Sequence, residues 1–82
     1  MDVDQLVIEE LSLLYRSRGE NHSLTEESSL HTLGFRSIDF AALALRVEER
    51  AGREIDFSTA DLVEDLDRVR DLQRFFRYAL AA

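Results

Sequence analysis

The sequence predicts an all-α fold, a bundle of four helices with a long connection between the first two and a short third helix. Three observations predict it. Apolar residues recur at helical spacing in four separate segments, and no segment alternates as a half-buried strand does. Acids or hydroxyls stand where these segments begin, and arginine or glycine follows where the first two end. The 82 residues include no proline, no repeat and no low-complexity tract, so 1–82 reads as a single domain.

The first helix is expected from Asp4 to about Arg18, with Leu6 or Val7, Leu11 and Leu14 on its apolar face. Asp2 and Asp4 suit its positive end, Arg16 and Arg18 its negative end, and Gly19 stops it. Residues 20–36 then form the long connection. Leu24, Leu30 and Leu33 are spaced along it as anchors over a core, and Thr25-Glu26-Glu27 could form a helical turn. The second helix is expected from Ser37 to about Arg50, with Ser37 as N-cap, Asp39 in the first turn and Gly52 at the end. Its apolar residues are Ile38, Ala41, Ala42, Leu45 and Val47. Ser58 or Thr59 would cap a brief third helix holding Leu62, Val63 and Leu66. The fourth begins after Asp67 and carries Val69, Leu72, Phe75, Phe76 and Leu80.

Composition narrows the function. Seventeen acids against ten arginines give a net charge of −7, which repels nucleic-acid phosphates. Residues 1–66 hold fifteen acids and six arginines, whereas residues 67–82 hold two acids and four arginines. Most of the chain is therefore acidic and suited to steering towards basic partners. With no cysteine, the chain offers neither a disulfide nor a thiolate, so thioester chemistry would need a sulfur from outside. No stretch is long and apolar enough to span a membrane, and the acidic start lacks a secretory signal's apolar run. A cytoplasmic monomer is the expectation.

Catalytic patterns are weak. Ser37, His31 and Asp39 supply the residue types of a triad, yet no nucleophile elbow surrounds Ser37, and so small a bundle has little wall to exclude water. His22 and His31 lie nine residues apart without a flanking ligand cluster, so no metal site is expected.

The informative stretch is Leu33-Gly34-Phe35-Arg36-Ser37-Ile38-Asp39-Phe40. It resembles the modification motif of the acyl carrier and peptidyl carrier protein family, a Leu-Gly-x-Asp-Ser-Leu-Asp core at the start of the second helix. Leu43, Val47, Glu48 and Glu49 are similar to the rhythm of that family's second helix. Gly52-Arg53-Glu54-Ile55 resembles the loop after it, and Val69-Arg70-Asp71-Leu72 the start of the last helix.

The resemblance implies a carrier fold with Ser37 esterified by 4′-phosphopantetheine, delivered from coenzyme A by a phosphopantetheinyl transferase. The arm would supply the thiol that the chain lacks. A serine at a helix N-terminus places the phosphodiester where anions are favoured. Gly34 would let the chain turn tightly before it. The carrier itself would be non-catalytic. Loading ligases or acyltransferases, ketosynthases and related enzymes would be its partners. The resemblance also makes Phe35, Ile38, Ile55 and Phe57 neighbours of the arm, and Arg36, Asp39, Phe40, Glu48 and Glu49 the recognition residues. Taken alone, without this context, Ser37 reads as a plain N-cap.

The sequence departs from the family pattern in two places. Arg36 stands where the family usually has Asp, reversing the charge beside the serine. Phe40, and with it Ala42, stands where polar or acidic residues are usual; Phe40 either faces a partner or packs in the core, and periodicity does not separate the two. Both departures point towards secondary metabolism of polyketide or nonribosomal-peptide type rather than bulk fatty-acid synthesis. The alternative from another class is an unmodified helical adaptor that binds a basic partner through its acidic face.

Overall fold

A computed structural model describes residues 2–55 and 66–81. Within them lie three helices, α1 (Val3–Arg16), α2 (Ser37–Ala51) and α3 (Val69–Ala81). The fold is small and all-helical, with no strand among the described residues. The short helix expected around Ser58 to Leu66 falls almost wholly outside them. α1 and α2 match their expected spans to within two residues.

Each helix starts on an aspartate, by two different routes. In α1 the N-cap Asp2 accepts the Gln5 N–H at 3.2 Å. In α2 and α3 the first-turn aspartate reaches backwards instead. Asp39 accepts the Arg36 N–H at 2.9 Å, and Asp71 accepts those of Arg68 at 2.8 Å and Asp67 at 3.0 Å. This is the returning half of a capping box. It corrects the expectation for Ser37, which is the first helical residue, while Arg36, with extended backbone, is the cap. At the other end of α2, Gly52 takes a left-handed conformation (φ 67°) and its N–H bonds to the Glu48 carbonyl at 2.9 Å.

Facing apolar stripes build the core. Leu6, Val7, Leu11 and Leu14 of α1 meet Leu43, Ala44 and Val47 of α2 and Val69, Leu72 and Phe76 of α3. α1 runs antiparallel to α2. Arg18, just past α1, pairs with Asp39 at the start of α2, and Arg50 near the end of α2 pairs with Glu9 (2.9 Å) and Glu10 (3.2 Å) in mid-α1. Glu10 is only 5% exposed, so Arg50, together with Arg46 at 3.8 Å, also compensates a carboxylate that has left water.

Phe40 packs in the core. Its ring stacks on Phe76 at 5.8 Å between centroids and meets Phe75 edge-on at 5.2 Å. The expectation of Phe40 as a recognition residue is therefore corrected: the aromatic joins α2 to α3. Geometry of this kind adds to simple area burial.

The long connection is pinned as expected. Leu30 is buried, and Leu24 and Leu33 pack partly against the core. Thr25-Glu26-Glu27 forms a hydrogen-bonded turn rather than a helix, closed by Ser28 N–H to the Thr25 carbonyl at 3.1 Å. Beyond it an isolated antiparallel bridge joins Ser29 to Arg68. The Leu30 N–H bonds to the Asp67 carbonyl (2.9 Å), Val69 N–H to Ser28 (3.0 Å) and Arg70 N–H to Glu26 (2.9 Å). The loop is thus laced to the segment that starts α3.

Replacing Phe40 by alanine should lower the free energy of unfolding by about 3–5 kcal/mol, whereas Ile38→Ala, on the opposite face of α2, should change it by less than about 0.5 kcal/mol. Equilibrium urea unfolding of both variants reads the difference.

Candidate functional site

The site grows from the turn that precedes α2. Leu33 N–H bonds back to Ser29, Gly34 N–H to His31 and Phe35 N–H to Leu30, folding residues 29–35 into a tight knot. Gly34 sits at φ 70°, and a Cβ there would meet nothing within 4 Å. The backbone conformation, rather than lack of space, calls for glycine. Tyr15 steadies the knot from α1, its hydroxyl donating to the Leu33 carbonyl at 3.3 Å. Burial, and then Asp39, push the Tyr15 phenol above its ordinary value.

The chain leaves this knot in extended form at Arg36 and enters the helix at Ser37, which is exposed. Among the described residues, nothing hydrogen-bonds the Ser37 hydroxyl. The N–H groups of Asp39 and Phe40 turn back to the Arg36 carbonyl at 2.9 and 3.0 Å. Those of Ser37 and Ile38 meet no acceptor among the described residues and point the helix's partial positive charge outward. Ser37 lines a cleft of about 340 Å³ together with Leu30, His31, Phe35, Arg36, Leu66 and Asp67.

Asp39 fixes this arrangement. It is 2% exposed, and its carboxylate lies between the Arg18 guanidinium (2.5 Å) and the Arg36 N–H (2.9 Å). Burial alone would push its carboxyl up, but the hydrogen bonds from Arg18 and Arg36 outweigh that and hold it below the ordinary aspartate value. The expectation that Asp39 belongs to an exposed acidic face is corrected: both its oxygens are spent within the chain. No hydrogen bond links Ser37, His31 and Asp39.

The remaining expected residues separate. Phe35, half-buried, and exposed Arg36 share the cleft with Ser37. Ile38, next to the serine, is 69% exposed and lies outside the cleft lining. Ile55 is buried in the core, away from that lining, and Phe57 is outside the described residues. Glu48 and Glu49 lie at the far end of α2, beside Gly52, Arg53 and Glu54. Glu49 is exposed; Glu48 is half-buried, with one carboxylate oxygen buried and unpartnered among the described residues.

Sequence reasoning missed the opposite wall of the cleft, Leu66 and Asp67, and the role of Arg18. His31 was weighed only as a triad or metal candidate, not as part of a cleft wall. Among the described residues, no three His, Asp or Glu are grouped to hold a metal, and no helix is long and apolar enough to cross a membrane. Compared with known proteins, the chain matches no protein-family model, no curated protein and no solved structure.

The Asp39 contribution has a defined pH signature. A carboxyl held low in the folded state stabilises fully above about pH 4, and that stability is lost as pH falls through the folded-state value. Asp39→Asn should therefore reduce unfolding free energy by about 1–3 kcal/mol at pH 7, and by less at pH 3. Urea unfolding at the two pH values tests it; an equal gap at both would show that the charge is not what stabilises.

Proposed function

We propose that this chain is a carrier protein of four-helix type, with Ser37 as the attachment point for 4′-phosphopantetheine. The observation that carries the reading is Ser37 itself, exposed as the first residue of α2 and embedded in a motif similar to that of carrier proteins. In the reaction, the Ser37 oxygen attacks the pyrophosphate of coenzyme A at the phosphorus bearing pantetheine. A phosphodiester forms, adenosine 3′,5′-bisphosphate leaves, and a base on the transferase takes the hydroxyl proton. The chain's part is to present the oxygen. Asp39 and Arg18 hold the start of the helix, and the outward N–H groups and Arg36 favour the incoming anion.

When attached, the arm would supply the thiol that holds an acyl or aminoacyl group as a thioester, and the separate enzymes visited would do the chemistry with their own residues. Arg36 in place of the usual acid fits a dedicated partner set, as in polyketide or nonribosomal-peptide assembly, acting in the cytoplasm on a monomeric carrier. The adaptor alternative needs a broad acidic face on α2; the burial of Asp39 and partial burial of Glu48 leave that face with little acid beyond Glu49.

Incubation with a broad-specificity phosphopantetheinyl transferase and coenzyme A should add one phosphopantetheine mass to the wild type and none to Ser37→Ala. Intact-mass spectrometry reads the outcome. Failure of the wild type to gain mass, beside a control carrier that does, sinks the proposal.

A further inference from the structure

Ile38, Ala41, Leu45 and Glu49 succeed one another at helical spacing on the face of α2 directly opposite Phe40, Leu43 and Val47. Ile38 is 69% and Leu45 60% exposed, while Ala41 between them is small enough to let another surface approach closely. Two large aliphatic side chains held in water on one stripe, about 10 Å apart along the axis, are an unpartnered contact surface. Their ends differ in charge. Arg36 stands at the serine end, exposed and without an ion pair among the described residues. Glu49 stands at the other end. Of the arginines near the stripe, Arg46 and Arg50 reach sideways to Glu9 and Glu10 of α1, and Arg53, beside Glu49, donates to the Leu80 carbonyl.

We infer that α2 docks in an apolar groove of its partner enzyme that carries a carboxylate opposite Arg36, and not in the uniformly basic surface that the chain's net charge suggests. This rests on the carrier reading and names the partner chemistry of the same site. Charge complementarity sets the direction of docking. An acid facing Arg36 and a base facing Glu49 seat the helix one way round, with Ser37 at the acid end, and Ile38 and Leu45 supply the desolvated contact. A second copy of the chain is a poorer occupant. Three aliphatic side chains over two turns fall well short of the roughly 800 Å² per partner that a stable dimer buries, while a carrier's partners must release it at every cycle.

The test measures transfer kinetics with a broad-specificity transferase that serves carriers having an acid before the serine, varying the carrier concentration at low and high salt. Ile38→Ser and Leu45→Ser should each raise KM at least fivefold while kcat stays within twofold, with helicity by circular dichroism unchanged. Arg36→Asp should lower KM at least fivefold at low salt, and the gap should close at high salt. Unchanged KM in both serine variants overturns the apolar contact. An Arg36→Asp effect that is absent, or indifferent to salt, overturns the charge at the serine end. A dimer by analytical ultracentrifugation that Leu45→Ser disperses replaces the enzyme partner with a second copy. Absence of any mass gain in the wild type sinks the carrier reading itself, a result distinct from normal gain with unmoved KM.

Discussion

The buried carboxylate of Asp39 is the constraint on which the rest of the site depends. It joins the end of α1, through Arg18, to the backbone at the start of α2, through the Arg36 N–H. A carboxylate with so little access to water persists as an anion only because two donors face it. Arg18, still 39% exposed, is the donor solvent can reach, and the Arg36 amide the one it cannot easily replace. The first turn of α2 is therefore set by tertiary structure as much as by helix propensity, and Ser37 inherits its position from that turn.

The same helix divides its labour by face. Inward, Phe40 locks α2 to Phe75 and Phe76 of α3, while Leu43 and Val47 join the shared core. Outward, the helix spends almost no side chain on the fold. Arg46 and Arg50 reach sideways to α1, neutralising Glu10 and leaving the outer stripe apolar. A chain with a net charge of −7 thus presents, beside its candidate attachment point, a surface poor in acid and headed by a cation.

Where the sequence exposes its own logic, periodicity and end signals coincide. Leu6, Leu11 and Leu14 with Asp2 before them and Gly19 after them mark α1 without reference to any other segment. The turn at Gly34 and the start of α2 were legible because a short local pattern carries them, although the cap is Arg36 and not Ser37. Asp39 and Phe40 were not. α2 has apolar residues on both faces, so the period of Ile38, Phe40, Ala41, Leu43 and Leu45 does not say which face is inward. An aspartate in the first turn looks the same whether it meets water or Arg18. The cleft was hidden for a related reason: Leu30 and His31 face Leu66 and Asp67 across segments remote in sequence, which the bond from the Leu30 N–H to the Asp67 carbonyl brings together.

That lacing also sets an order of events in folding. The bonds Leu30–Asp67, Val69–Ser28 and Arg70–Glu26 each close a loop of about forty residues, whose entropic cost must be met before any of them stabilises the chain. Such non-local pairings raise contact order and slow the search, whereas the turns of α1 and α2 need only near neighbours. The helices, and the knot before Ser37 with its own local bonds, can thus form while the cleft is still open to the solvent. The cleft, whose two walls stand on opposite sides of the Ser29–Arg68 bridge, comes into being only when that last closure is made. A nascent chain would in that sense acquire its helices before its address.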